Sequence, residues 1–124
     1  MAFFIVFLGG GLGAALRHGV NLVAARALGT SFPWGTFTVN IVGSLIMGLM
    51  AAWFAFWSAP SQHWRLFLTT GILGGFTTFS TFSLDTAVLY ERGQLGLAAV
   101  YVVVSVAAGL VGLLGGLALV LSMA

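Results

Sequence analysis

The chain has 124 residues, of which 60% are hydrophobic and 5% charged, with no cysteine. A mean hydropathy of +1.15 excludes a soluble domain of this size and makes the chain an integral membrane protein. Four arginines and no lysine give a net charge of +2, too sparse and scattered for a nucleic-acid surface.

At about 20 apolar residues per crossing, the sequence predicts four membrane-spanning helices over residues 3–28, 34–57, 65–90 and 95–121, in one transmembrane domain over residues 1–124. The N-terminus lacks the basic region of a cleavable signal, so the first apolar run reads as a retained helix. Pro33 stands where a helix-start proline belongs, and Pro60 follows the second span. Trp34, Trp53, Trp57, Trp64 and Tyr90 fall near predicted ends, where amphipathic rings favour the interface.

The first span carries Gly9 and Gly13 at the small-xxx-small spacing that lets helix backbones approach closely, and Gly112 and Gly116 repeat it in the fourth. Arg17 lies well inside the first span, where a charge costs about 2.5–3.5 kcal/mol. Two readings stay open for it: a side chain reaching a lipid headgroup, or a cation facing a wet vestibule. In the second span Thr36, Asn40 and Ser44 recur every fourth residue and share one face. Asn40 needs partners in hydrocarbon, either as glue between helices or as a donor to an anion.

The third span is the centre of the reading. Residues 71–83 open with a glycine cluster, then place five hydroxyl side chains among Phe76, Phe79 and Phe82. Lipid offers no partner to a hydroxyl or a loosened backbone, so this stretch predicts a broken helix packed against protein or a water-filled path. Counting about 100° per residue after the glycine break, Phe79 and Phe82 fall within about 60° of each other. Ser80 and Ser83 form an adjoining strip, while Thr77 and Thr81 point the opposite way. Phenyl rings carry positive edges, so the pair is either apolar filler or an escort for a small anion. Asp85, about a turn from the end, either reaches the interface or pairs with an arginine. In the fourth span Tyr101 and Ser105 share a face, as helix glue or pore lining.

Arg26 and Arg92 fall in links on one side of the membrane and Arg65 on the other, a weak bias that predicts insertion in both orientations. Four short helices are too few to enclose an aqueous path. The fold expected is therefore all-α, four transmembrane helices per chain with the third broken, in an antiparallel dual-topology homodimer. Carbonyl oxygens from two broken helices meeting at the twofold axis would suit a small hard cation such as Na⁺.

The runs 9–17, 35–44 and 74–83 together resemble the bacterial Fluc (CrcB) fluoride channels, over essentially the whole chain. The resemblance implies two pores per antiparallel dimer, passively exporting toxic fluoride across the inner membrane as a multi-pass protein. It implies that Phe79 and Phe82 coordinate the anion, with Ser80, Thr81 and Ser83 as the hydroxyl track. Asn40 and Tyr101 match further pore residues, and Arg17 matches the family's vestibule arginine. Gly74 and Thr77 match the positions whose carbonyls hold a structural Na⁺. The partners implied are fluoride, a second copy of the chain and the lipid bilayer. The helical wheel, by contrast, sets Thr81 away from the phenylalanines. The alternative is a small proton-coupled multidrug exporter of similar size, which wants a membrane carboxylate that spans one, two and four lack. A membrane enzyme has no catalytic cluster to rest on, and a purely structural subunit would accept any apolar residue at 79 and 82.

Overall fold

A computed structural model describes residues 1–123, and every structural statement below concerns these. The described chain is helical, with links of a few residues: α1 (Ala2–Leu28), α2 (Trp34–Phe56), α3 (Gln62–Arg65), π1 (Leu66–Leu73), α4 (Gly74–Phe76), α5 (Phe79–Glu91) and α6 (Leu95–Ser122). Four stretches are long and apolar enough to cross a membrane: Ala2–Leu28, Trp34–Phe56, Gln62–Glu91 and Leu95–Ser122. The all-helical class expected from hydropathy is therefore what is observed, with four helical stretches of membrane-spanning length. The ends agree with the expected ones to within about a turn.

The links obey local chemistry. Gly29 ends α1 with φ 82°, and Gly93 turns the chain after α5 with φ 77°. Only glycine enters that left-handed region without a steric penalty. Ser61 caps α3 by accepting from the Trp64 amide at 3.4 Å.

Glycine also decides which helices touch. A Cβ on Gly9 would sit 2.7 Å from the Phe67 carbonyl oxygen and 2.9 Å from the Gly71 Cα. On Gly13 it would be driven into the Ile72 carbonyl, and on Gly75 into the Gly10 backbone. Contacts advance together along both segments, so α1 runs parallel to π1 and α4 at backbone-to-backbone range. Gly48 lies against Leu113, and Gly116 against Leu45 and Leu49, which clamps α2 and α6 into a second parallel pair. Gly112 makes only ordinary contacts with Ile41 and Leu45. Gly35 nests on Asn21 and joins the two pairs. Without an aqueous hydrophobic drive, small residues and close dispersion contact are what hold helices together in lipid.

The glycine cluster of the third crossing does not itself break the helix, contrary to the sequence expectation. Gly71 lies within π1, and Gly74 and Gly75 within α4. Extended backbone comes two residues later, at Thr77 (φ −87°, ψ 159°) and Thr78 (φ −153°, ψ 125°). The glycines instead let α1 approach. Little is buried: Leu89, Ala98 and Tyr101 form a small core with Phe32, Phe37 and Phe82 packed around it. Phe3, Phe7, Val103 and Val111 are among the many large apolar side chains left facing outward, as a lipid or partner surface requires.

Candidate functional site

Two extended residues in an apolar crossing free backbone groups that lipid cannot satisfy. Side chains from the other helices meet them. Asn40 on α2 accepts from the Thr78 amide at 2.8 Å and donates through Nδ2 to the Thr78 carbonyl at 3.0 Å. One carboxamide thus replaces both helical partners of a single residue. Arg17 on α1 donates from Nε to the Gly75 carbonyl at 3.1 Å, near the C-terminal end of α4. Thr77 closes the same turn, its amide and its hydroxyl both donating to the Leu73 carbonyl, at 3.1 and 3.0 Å. A cation at a helix C-terminus is favoured by the dipole, which offsets part of what Arg17 costs within the span. Arg17 is partly buried, and this backbone contact is one that neither sequence reading of it foresaw.

On the far side of the extended residues the Thr78 hydroxyl accepts from the Thr81 amide at 3.2 Å and caps α5. That cap was missed in the sequence, although a threonine ahead of a helix is a standard start signal. The Ser80 hydroxyl lies 3.4 Å from that of Thr78. Ser83 donates its hydroxyl to the Phe79 carbonyl at 3.0 Å, and Thr86 to that of Phe82 at 2.9 Å. The Ser83 and Thr86 hydroxyls are therefore tied through their hydrogens to the backbone of α5, whereas the Ser80 hydroxyl meets only that of Thr78.

Phe79 and Phe82 stand 5.8 Å apart, tilted by 45°, but in unlike surroundings. Phe79 is 79% exposed, whereas Phe82 is partly buried and packs 5.1 Å from the Tyr101 ring. Tyr101 has no exposed surface; Phe32 meets it edge-on at 5.4 Å, and its hydroxyl donates to Asp85 Oδ2 at 3.1 Å. The partner of Asp85 is thus a tyrosine and not the arginine considered from sequence.

Two open clefts flank this construction. The first, of about 310 Å³, lies where α1 and α5 end and α2 begins, and is lined by Asn21, Thr36, Thr81, Asp85 and Arg92 among others. The second, of about 280 Å³, is lined by Asn40, Ser44, Thr77, Thr78 and Phe79. The polar face expected on α2 is thus divided: Thr36 serves the first cleft, Asn40 and Ser44 the second. Thr81 lines the first cleft and Phe79 the second. Gly74 lies apart from both, on a third, largely apolar cleft with Arg65 and Thr69. Ser105 is buried with its hydroxyl unpaired.

Residues 4–117 match the family model described as "CrcB-like protein, Camphor Resistance (CrcB)". The chain is 60% identical over 120 residues to a protein of Nitrobacter hamburgensis named "Fluoride-specific ion channel FluC 2", covering 97% of each. It is 62% identical to a "Fluoride-specific ion channel FluC" of Rhodopseudomonas palustris, again covering 97% of both chains. A protein of the same name from Methylobacterium nodulans is 63% identical over 116 residues, 94% of this chain and 93% of its own.

Proposed function

The chain belongs to the CrcB-like family, and from that premise we propose a fluoride-specific channel whose path runs along the hydroxyl-rich helix α5. It is a multi-pass bacterial membrane protein and an ion channel rather than an enzyme. Near-complete coverage at about 60% identity to relatives named as fluoride-specific channels carries the function. The physical account of the path starts from the Asn40 clamp on Thr78, which sets the start of α5 and presents Phe79 to the second cleft, with Phe82 packed on Tyr101 behind it.

Fluoride is small and strongly hydrated, so a path for it has to replace water by close donors. Ring edges and hydroxyls do so without a fixed cation that would hold the ion too long. In this reading Asn40, Phe79, Phe82, Ser80, Thr81, Ser83 and Tyr101 line the route and Arg17 raises the local anion concentration. Flow is passive and outward across the inner membrane. The exposed Phe79 ring supports a second chain: an anion beside it on the isolated protomer would meet lipid. An antiparallel homodimer with two pores supplies the missing wall.

The same dimer would bring α4 from both chains to the membrane centre, with Gly74 and Thr77 carbonyls as ligands for a structural Na⁺. These residues fit a hard cation. The Thr78 amide, which would be the helical partner of the Gly74 carbonyl, is turned to Asn40, and Thr77 is extended, so both oxygens are released from regular pairing. Long equilibration in K⁺ should loosen the dimer on size exclusion; an unchanged profile would count against the cation.

The decisive test is efflux from liposomes carrying the purified protein, followed with fluoride and chloride electrodes. Fluoride should leave and chloride stay. Phe79→Ile and Phe82→Ile should each stop fluoride while the protein still assembles, and unchanged flux in both would remove the phenylalanines from the path.

A further inference from the structure

The phenol of Tyr101 has one hydrogen to give, and in this structure it gives it to Asp85 Oδ2 at 3.1 Å. A hydrogen bond to an ionised acceptor is among the stronger ones a protein makes. The Tyr101 ring cannot turn away to donate elsewhere, since it is fully buried between Phe82 and Phe32. Asp85 is one of only two carboxylates in the chain. It lines the first cleft, whose only cationic lining residue is Arg92, two helical turns further along the chain.

We propose that Asp85 is a tethered competitor of the permeating anion: its carboxylate holds the Tyr101 hydroxyl, and each fluoride using that donor displaces it. The inference rests on the placement of Tyr101 on the fluoride path and adds a residue that sets throughput there. Both species are anions seeking one proton donor, so occupancy by one excludes the other and their charges repel. The displaced carboxylate swings into the cleft towards Arg92. Thr36, Thr81 and Asn21, which line the cleft from α2, α5 and α1, are neutral and offer no rival charge. Tyr101 and Arg92 are the titratable groups that face Asp85 from the elements around it.

The test is initial fluoride efflux from liposomes as a function of internal fluoride. Asp85→Asn removes the competitor's charge and should lower the fluoride concentration for half-maximal efflux about tenfold, the factor equivalent to roughly 1.4 kcal/mol. Asp85→Glu restores the charge and should return the curve towards the parent. Asp85→Ser serves as the second neutral variant should the amide fail to assemble. Tyr101→Phe should slow efflux and, combined with Asp85→Asn, abolish the gain. A half-maximal concentration that does not fall in either neutral variant overturns the proposal, as does a gain that persists in the Tyr101→Phe background. If Tyr101→Phe alone leaves efflux intact, the placement of Tyr101 on the path fails as well, which separates the two failures.

Discussion

At the residue scale, one amide does the work of two helical hydrogen bonds. Asn40 pairs with both backbone groups of Thr78, and no other side chain is seen pairing with either. Its amide group is thereby committed to the backbone, which gives the residue a structural role beside the anion contact expected of it. Asn40→Ala would strand a donor and an acceptor, each costing on the order of 1–3 kcal/mol when buried. The partly wet second cleft reduces this, but the sign is fixed. The variant should melt several degrees below the parent in detergent and lose fluoride efflux. Asn40→Asp keeps an acceptor for the amide but repels the carbonyl, so it should recover only part of the stability. A parent-like melting temperature for the alanine variant would mean that the Thr78 backbone finds other partners.

At the element scale, glycine is read by what its missing Cβ admits. A Cβ on Gly10 or Gly11 would meet nothing, while one on Gly13 would enter the Ile72 backbone. Gly11→Ala should therefore assemble like the parent. Gly13→Ala should separate α1 from π1 and α4 and appear as aggregate on size exclusion. Equal behaviour of the two would remove close approach as the reason for the glycine run. The same comparison explains what the sequence could disclose. Span number and limits follow from hydropathy, which is local, and agree to within about a turn. The position of the extended residues is not local. Nothing in Thr77-Thr78 resembles a helix breaker, and the group that stabilises Thr78 as extended backbone is Asn40, 38 residues away. The glycines drew attention because only proline is a weaker helix former, yet tertiary contact with α1 keeps them helical. The Tyr101–Asp85 bond was likewise illegible, since an aspartate near a span end is usually explained by water or arginine.

At the scale of the whole molecule, the described chain has a small core and a largely apolar outside, so most of its surface belongs to lipid or to another copy. Whether such a copy would be inverted turns on four arginines. Arg26, in the last turn of α1, and Arg92, just after α5, fall at one end of the bundle and Arg65, closing α3, at the other, while Arg17 is engaged with the Gly75 carbonyl inside the bundle and adds little to either. Positive residues in short links are retained on the cytoplasmic side, and two against one leaves orientation nearly undecided. Small additions should then decide it. Gln94→Arg makes the count three against one towards the Arg26 and Arg92 face; Ser58→Arg, Ala59→Arg and Gln62→Arg together make it four against two towards the Arg65 face. Each variant expressed alone should insert one way, leave no inverted partner and lose fluoride export from cells. Expressed together they should restore it, since each supplies the orientation the other lacks. Labelling of a cysteine placed at Ser31 reports the orientations directly: the parent should be labelled from both sides, each biased variant from one. Full export by either biased variant alone would rule out the inverted pair and leave the exposed Phe79 ring to be covered by a partner of the same orientation.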